Sequence, residues 1–333
     1  MHRRTLLSAS LGLGSLAGLT YLGSRPNAQP ELTTHTGSGR AFGTTVSIRV
    51  LHHDPVTAQA AIDDALAQVS LVDALMSLHQ TSSQVFQLNA TGQLSHPDAH
   101  VRKVLAYARQ LASQTGGAFD ITVQPLWLAF SQAQTRGALP APQAITEAKA
   151  LVNWQGLRVD ANQIQLARPG MAITLNGLAQ GYAVDLALAA LRARGITHAL
   201  LDTGEFGALG NKAANQPWVL GIKDPRQTDA LAARVPLDGR QLATSGDYET
   251  TFSPDYRHHH IFDPATGDSP TTLASATVLA PTGLMADGLS TAFMVMGADK
   301  ALALAAALPQ VDALLVGKDG SRRKTAYFPE LNA

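Results

Sequence analysis

Cysteine is absent from this 333-residue chain, and aromatic residues make up only 5% of it. Without cysteine there can be no disulfide, thiolate nucleophile, iron–sulfur cluster, cysteine-based zinc site or lipoprotein attachment through an N-terminal cysteine. Aromatics are scarce and no basic stripe is interleaved with them, which argues against a stacking surface for nucleic acid. An excess of one charge is also lacking, because Lys plus Arg and Asp plus Glu each number 25. No bulk field therefore recruits nucleic acid or an anionic membrane.

Familiar catalytic and metal-binding signatures are missing as well. No serine lies in G-x-S-x-G, and the glycine spacings match neither G-x-G-x-x-G nor a P-loop. Three consecutive histidines at 258–260 suggest zinc at first sight. Neighbours in a strand point to opposite faces, so at most His258 and His260 could chelate together, and no third ligand follows at zinc spacing. A single histidine acting as a base suits this segment better.

Apolar residues account for 45% of the chain and charged residues for 15%, which is enough to bury a large core. Helical and alternating patterns are mixed without a regular βαβ order or a repeat period. The sequence predicts an α+β protein with mixed sheets and packed helices. Helices are predicted at 56–79, 98–115, 144–154, 182–194, 286–295 and 300–308, strands at 41–51, 171–175, 198–202, 218–222, 242–245, 274–279 and 313–316, a hairpin at 157–166 and a surface segment at 131–143.

The first thirty residues are typical of an export signal. Arg3 and Arg4 precede an apolar, Gly- and Ala-rich stretch from Leu11 to Leu22, and the paired arginines resemble a twin-arginine signal. The alternative is a membrane anchor, but glycines interrupt the stretch and it falls short of the ~20 apolar residues of a spanning helix. We therefore predict a signal at 1–30, a folded domain at 31–333 and a periplasmic location.

One apolar segment, 282–297, carries an isolated carboxylate and a hydroxyl. Asp287 and Thr291 are four residues apart, so on a helix they project from the same face. One interpretation is local, with Asp287 capping the helix and Thr291 bonding back to its carbonyls. The other is a site for a hard cation such as Mg²⁺, which prefers oxygen ligands.

Four further segments are rich in glycine and isolated polar groups, where the pattern predicts loops. They are 115–120, ending at Asp120; 174–185, in which a helix is expected to begin near Gly181; 202–210, containing Glu205; and 243–248 with 256–267. Each could contact a phosphate or a flat ring through glycine backbone and polar side chains. Each could equally be an ordinary turn with a solvated or satisfied acid.

In order along the chain, these segments resemble the ApbE family, the FAD:protein FMN transferases. The resemblance spans residues 40–298 and rests on Phe42-Gly-Thr-Thr-Val-Ser-Ile, Leu75-Met-Ser-Leu-His followed by Ser83 to Asn89, Gly116-Gly-Ala-Phe-Asp-Ile-Thr-Val-Gln-Pro-Leu, Leu175-Asn-Gly-Leu-Ala-Gln-Gly-Tyr-Ala-Val-Asp, Ala243-Thr-Ser-Gly-Asp-Tyr, His259-His-Ile-Phe-Asp-Pro-Ala-Thr-Gly and Ala286-Asp-Gly-Leu-Ser-Thr-Ala. It implies an ApbE-like fold and Mg²⁺-dependent transfer of FMN from FAD to a threonine of an acceptor protein, with release of AMP.

The resemblance also implies roles for individual residues. Mg²⁺ would be held by Asp287, Thr291 and the backbone carbonyl of Ala179, and His260 would be the base for the acceptor hydroxyl. FAD contacts carry over to Phe42, where the family usually has Met, and to His79, Ala118, Phe119, Asp120, Asn176 and Ile261.

Two departures from the family pattern affect these expectations. The usual Asp-Leu-Gly-Gly-Ile-Ala-Lys-Gly stands here as Thr-Leu-Asn-Gly-Leu-Ala-Gln-Gly, which changes Asn176 and Gln180 and removes one acid and one base. Ser290 occupies a position that can hold a second acid. The variant segment, with Asp202-Thr-Gly-Glu, resembles the NosX branch, so the acceptor could be a membrane-bound respiratory subunit. A non-catalytic FAD carrier and an FAD pyrophosphatase remain alternatives.

Overall fold

A computed structural model describes residues 31–227 and 229–331. The signal predicted for 1–30 lies outside the described residues. The helices within the described ranges are α1 (Pro55–Met76), α2 (Gln84–Thr91), α3 (Ala99–Gln114), α4 (Gln124–Gln134), α5 (Pro142–Lys149), α6 (Ala179–Ala193), α7 (Gly283–Met296) and α8 (Ala298–Ala307). The strands are β1 (Thr33–Ala41), β2 (Thr44–His52), β3 (Gln93–Ser95), β4 (Leu157–Val159), β5 (Gln163–Leu166), β6 (Ala199–Asp202), β7 (Phe206–Leu209), β8 (Asn211–Ala213), β9 (Gln216–Pro217), β10 (Val219–Lys223), β11 (Leu231–Pro236), β12 (Gln241–Gly246), β13 (Leu273–Ala280), β14 (Asp312–Gly317) and β15 (Arg322–Lys324).

The main sheet has eight strands in the order β1-β2-β6-β7-β12-β13-β14-β15. All of its neighbouring pairs are antiparallel. Smaller sheets are formed by β3-β5-β4, by β10-β11 and by β8-β9. The predicted α+β class is confirmed by this combination of separate helices and antiparallel sheets.

Both faces of the main sheet are covered, which is why β13 is buried along its whole length. Successive strand residues point to opposite faces. Val278 belongs to the core beneath α1, α6 and α7, whereas Leu279 packs in a second core with Trp218 and Val235 of the β10–β11 region. Helix α7 contacts α6 on one side and strands β12 and β13 on the other. It is therefore the element best placed to present buried polar groups between helix and sheet.

The strand predicted at 171–175 is wrong, because no strand among the described residues supplies its backbone partners. The side chain of Asn89 takes that role, with its Nδ2 donating to Ile173 O over 2.8 Å and its Oδ1 accepting from Ile173 N over 2.7 Å. Thr174 N donates to Ile121 O over 2.8 Å. The side-chain amide of Asn89 thus replaces the hydrogen bonds that a neighbouring strand would supply, and the segment does not join a sheet.

The other differences lie where the apolar periodicity is weak. Strand β1 is rich in Thr and Gly and was not predicted, although it pairs with β2 over its full length. The segment 131–143 was expected to be a surface connection, but its two ends belong to α4 and α5. The helix predicted at 144–154 begins earlier, at Pro142, and ends at Lys149. Within the described ranges, no helix is both long and apolar enough to cross a bilayer.

Candidate active site

Helices α6 and α7 touch backbone to backbone at two glycines. A Cβ atom added to Gly181 would lie 2.1 Å from Gly283 O, and one added to Gly283 would lie 2.3 Å from Gly181 O. Any other residue at either position would push the helices apart, because such distances are far below van der Waals contact. The two glycines therefore bring the first turns of the two helices together.

At this crossing each helix presents a carboxylate to the backbone of the other. Asp287 Oδ2 accepts a hydrogen bond of 3.0 Å from Gly181 N. In return, the two carboxylate oxygens of Asp185 accept from Gly283 N at 2.6 Å and from Leu284 N at 3.0 Å. Each aspartate follows its own glycine by four residues, so a Gly-x-x-x-Asp pattern occurs once in each helix. The exchange satisfies free amides at both helix N-termini and stabilises their partial positive charge.

This geometry excludes the local interpretation of Asp287 and Thr291. Helix α7 begins at Gly283 and is capped by Thr282, whose side chain accepts from Met285 N. Asp287 lies inside the helix, and its carboxylate bonds to α6 instead of capping α7. The Thr291 hydroxyl contacts the Ser245 hydroxyl at 3.1 Å. The pair is thus directed away from its own helix backbone.

The residues expected to hold a metal do converge. A Cβ on Gly177 would be 2.7 Å from Thr291 Oγ1, and Gly181 N bonds to Asp287. Ala179 lies midway between these two glycines, at the first residue of α6 rather than before a helix that begins near Gly181. The segment 177–181 therefore follows the face of α7 that carries Asp287 and Thr291.

Two buried carboxylates adjoin this face without a basic partner. Asp287 is 3% exposed, and burial raises its pKa to about 7, with a further increase from the charge of Asp185. Burial and the charge of Asp287 together raise the pKa of Glu205 well above its ordinary value. Among the described residues, no ion pair involves either carboxylate. Buried acids of this kind favour either a proton or a cation.

Hydroxyl groups complete the oxygen-rich character of the site. Ser245 Oγ on β12 lies 2.8 Å from Ser290 Oγ and 3.1 Å from Thr291 Oγ1. Ser290 Oγ also donates to Asp287 O over 2.8 Å. In the described part of the chain, no group of three His, Asp or Glu side chains converges as a transition-metal site would require. Carboxylate, hydroxyl and carbonyl oxygens without a nitrogen ligand fit Mg²⁺.

The loop that carries the three histidines, 258–260, follows β12 and is anchored by an ion pair. The carboxylate of Asp247 is fully buried and accepts from Arg226 Nη1 at 2.8 Å and Nη2 at 2.7 Å. Lys318 Nζ lies 3.3 Å from the same carboxylate. The guanidinium carbon of Arg226 is 4.3 Å from the ring centroid of Tyr256, a residue with a positive φ of 58°. These contacts hold a strained loop against the sheet.

Within that loop, two neighbouring histidines differ in environment. His259 is fully buried, with its Nε2 3.2 Å from Pro270 O, and burial lowers its pKa to about 4. His260 is half-buried, and desolvation lowers its pKa as well. Its Nδ1 is 3.3 Å from Thr250 O. Because a carbonyl oxygen can only accept, Nδ1 carries the hydrogen in this contact and Nε2 is left to accept a proton.

Some of the residues expected to contact FAD already have partners inside the protein. Asp120 accepts from Thr122 N at 2.7 Å and Thr122 Oγ1 at 2.6 Å, and from Trp154 N at 3.0 Å. These bonds match the alternative of a satisfied turn acid. The side chain of Phe119 is 4% exposed and packs in the core, so its backbone and that of half-buried Ala118 are the parts open to a ligand. The hydrogen bond from Thr174 N to Ile121 O brings this segment beside the approach to α6.

The remaining candidates lie on other elements. Phe42 is at the tip of the β1–β2 hairpin with a φ of 53°, a strained backbone for an aromatic residue. His79 is exposed just after α1, and Asn176 is exposed just before α6. Ile261 is buried next to His260. No hydrogen bond within the described ranges joins Phe42 or His79 to the α6–α7 crossing.

Comparison with known proteins decides the family. The model of the ApbE family matches residues 42–315. The chain belongs to the ApbE family. The predicted family is thereby confirmed, and with it the expectation of an ApbE-like fold.

Individual ApbE relatives are similar over most of their length. A protein from Haemophilus influenzae named FAD:protein FMN transferase is 33% identical, with 83% of this chain and 85% of the relative covered. One from Treponema pallidum with the same name is 31% identical, with coverage of 95% and 90%. The solved structure of Pseudomonas stutzeri flavinyl transferase ApbE in its apo form superposes with a TM-score of 0.77 at 31% identity, covering 89% of this chain and 96% of the other.

The ApbE resemblance did not predict the residues that support the site. Asp185 ends the motif at 175–185 but receives no role from the resemblance, and Arg226 lies in none of the motifs. The repeated Gly-x-x-x-Asp spacing in 181–185 and 283–287 was the available signal for the exchange of carboxylates between the helices. Sequence offered no comparable signal for Arg226, since its partner is 21 residues later, beyond strands β11 and β12.

Proposed function

We propose that this protein is a Mg²⁺-dependent FAD:protein FMN transferase that modifies a threonine of an acceptor protein outside the cytoplasm and releases AMP. The observation that carries the proposal is the buried Asp287 carboxylate, which has no basic partner among the described residues and lies one helical turn from Thr291, whose hydroxyl contacts Ser245 on β12. The names of the ApbE relatives supply the reaction class.

Asp287, Thr291 and the carbonyl of Ala179 are the residues that would hold Mg²⁺. Once bound, Mg²⁺ would neutralise charge on the FAD pyrophosphate and help to orient it. Asp185 keeps the two helix N-termini together through its bonds to Gly283 and Leu284. The protein thus contributes a rigid, desolvated frame in which the two phosphates can be positioned.

His260 would accept the proton of the acceptor threonine. The threonine oxygen forms a bond to the FMN phosphorus, the bond from that phosphorus to the bridging oxygen breaks, and AMP leaves with that oxygen. The lowered pKa of His260 keeps its ring neutral near pH 7, and the Thr250 contact leaves Nε2 available. FAD would be held by Phe42, His79, Ala118, Phe119, Asp120, Asn176 and Ile261.

The proposed acceptor is a protein reached after export, and the resemblance to the NosX branch favours a membrane-bound respiratory subunit. The arginine pair at the N-terminus supports twin-arginine export to the periplasm. Gln180, which stands where the family usually has a base, donates through Nε2 to Thr203 O over 2.6 Å. Gln180 is therefore held by an internal bond of its own.

The test is incubation of the purified protein with FAD, Mg²⁺ and a candidate acceptor domain, followed by peptide mass analysis. A flavin-sized mass increase on a threonine, with one AMP released per modification, is expected. AMP and free FMN without labelled protein would identify a pyrophosphatase instead. Tight FAD binding without any AMP would identify a carrier.

A further inference from the structure

A turn between β6 and β7 brings a second acid to the start of α6. Gly204 in this turn has a φ of 98°, which favours glycine. Gln180 Nε2 donates to Thr203 O over 2.6 Å, and Thr203 Oγ1 donates back to Gln180 O over 3.2 Å. Two side chain–backbone bonds therefore fasten the turn to the residue that follows Ala179. Glu205 follows Thr203 by two residues in this turn.

Glu205, like Asp287, has less compensation than the buried acids outside the candidate site. It is 9% exposed, and its Oε2 accepts one bond, of 3.1 Å, from Thr244 N. For comparison, Asp120 accepts three bonds, and Asp247 is paired with Arg226. Within the described ranges no hydrogen bond reaches Glu205 Oε1, although a carboxylate offers about four acceptor positions.

The charged groups with the largest influence on Glu205 are negative. Asp287, Asp202 and Glu249 each raise the pKa of its carboxyl group, and the neutral Gln180 lies where a cation could have offset them. Burying an ionised carboxylate among other acids is costly unless it takes up a proton or a cation joins them. A turn acid with a purely structural role would be expected to have more donors, as Asp120 does.

Contacts through β12 join Glu205 to the candidate metal residues. Thr244 N holds Glu205, and the next residue, Ser245, contacts Ser290 and Thr291 through its hydroxyl. The same strand end thus contacts Glu205 and the turn of α7 that follows Asp287. With Asp287 alone, a divalent cation would be left with one uncompensated positive charge before FAD binds.

We propose that Glu205 is a second carboxylate of the Mg²⁺ site, acting with Asp287 to neutralise the cation. This inference rests on the Mg²⁺ site of the proposed function. It gives Glu205 a role in metal affinity that precedes FAD binding and is separate from the base role of His260. Ser290, next to Thr291, then needs no charge of its own.

The test is a calorimetric titration of Mg²⁺ alone into metal-free protein, in parallel with thermal unfolding with and without Mg²⁺. Glu205→Gln keeps the size of the side chain and an acceptor for Thr244 N. We expect it to lower the Mg²⁺ affinity by about 10- to 100-fold, the range for groups that support a metal, without lowering the melting temperature of the metal-free protein. Glu249→Gln is the matched control, since it removes a nearby but exposed acid, and it should leave the affinity within about twofold.

The outcomes separate the two proposals. Wild-type Mg²⁺ affinity in Glu205→Gln, together with a loss in Asp287→Asn, would overturn the role of Glu205 and leave the Mg²⁺ site intact. An equal loss of Mg²⁺ affinity in Glu249→Gln would also overturn the role of Glu205, because any nearby negative charge would then have the same effect. If the wild-type protein itself binds no Mg²⁺, with or without FAD, the metal-dependent function and the role of Glu205 both fall.

Discussion

Two buried aspartates of the candidate active site, Asp247 and Asp287, differ in the partners of their carboxylates. The Asp247 carboxylate is fully enclosed, and both of its oxygens are bound by Arg226, with Lys318 nearby. The Asp287 carboxylate is equally enclosed but accepts one backbone amide bond, from Gly181. Burial raises the pKa of Asp287 to about 7, whereas Asp247 has its countercharges built in.

The difference indicates which acid supports structure and which awaits a ligand. A buried charge is tolerated at low cost only when a partner and hydrogen bonds replace the lost water. Asp247 meets this condition within the chain and so anchors the loop that carries His260. Asp287, with Glu205 near it, does not meet the condition within the described chain, and in the proposed site a cation would supply the missing charge. Strongly perturbed acids of this second kind are typical of functional sites.

The largest expected effect comes from removing the unpaired charge. Asp287→Asn should reduce FMN transfer by at least about 10⁴-fold, roughly 5 kcal/mol of transition-state stabilisation, because charge neutralisation of the pyrophosphate is lost. The metal-free protein should be as stable as wild type or more so near pH 8, since the variant no longer buries an ionised carboxylate. Acceptor flavinylation and urea unfolding are the two measurements.

Asp63→Asn is the control for that substitution, as it makes the same change on the exposed face of α1. It should leave both readouts at wild-type values. A variant of Asp287 that unfolds readily while transferring FMN at the normal rate would reverse the comparison and make Asp287 the structural acid.

The paired acid should show the opposite behaviour. Asp247→Asn should lower the free energy of unfolding by about 3 kcal/mol, because Arg226 and Lys318 are left partly buried without a counter-ion. Asp64→Asn breaks an ion pair of similar length with Arg194 whose side chains are about half exposed. It should cost less than about 1 kcal/mol. Equal losses in the two variants would show that burial of the Asp247 pair has no energetic consequence.

The pH dependence of the free energy of unfolding tests how well the loop that carries His259 is shielded from water. The pKa of His259 is lowered to about 4 in the fold, against 6.5 for the free side chain, so folding favours the neutral ring. Its stabilising contribution is complete above the unfolded pKa and is lost as pH falls from 6.5 towards 4. Lowering the pH from about 7 to about 5 should therefore reduce the free energy of unfolding by about 2 kcal/mol through this group.

Urea unfolding of wild type and His259→Gln at both pH values measures this loss. The difference between the two proteins should change by that amount, whatever the absolute cost of the substitution. A difference that is independent of pH would mean that His259 titrates in the fold as it does in the unfolded chain, and that the loop anchored by Asp247 is open to water.

The sequence predicted the elements whose apolar positions repeat regularly and the residues that carry family motifs. Helices α1, α3, α6 and α7 and the convergence of Asp287, Thr291 and Ala179 belong to that class. Strand β1 was not predicted because its Thr and Gly residues give no alternation of apolar and polar positions. Residues 171–175 have the pattern of a strand, but the side chain of Asn89 binds the backbone of Ile173 in place of a neighbouring strand.

Long-range pairing explains the remaining gaps. Arg226 and Asp247 meet only through loop geometry, which no periodicity encodes. The local interpretation of Asp287 failed for the same reason, since its amide partner belongs to a helix more than a hundred residues earlier. In contrast, the repeated Gly-x-x-x-Asp spacing was visible in the sequence, and only its reciprocal use required the structure.

That reciprocity provides the smallest and most specific test. Asp185 and Asp287 occupy the same position relative to the contact glycines, and burial raises the pKa of Asp185 as well. Asp185 differs in having two amide donors and the nearby charges of Lys103 and Arg192, which oppose that rise. Asp185→Asn can still accept from one amide of α7 and should lower the free energy of unfolding by about 1 kcal/mol, the usual cost of a weakened helix cap. It should keep the stabilisation of the protein by Mg²⁺, measured as the shift in melting temperature, because Asp185 is a cap rather than a ligand. If Asp185→Asn abolished that shift as fully as Asp287→Asn, the two carboxylates would have the same role, and the distinction between paired and unpaired acids would not extend to the helix crossing.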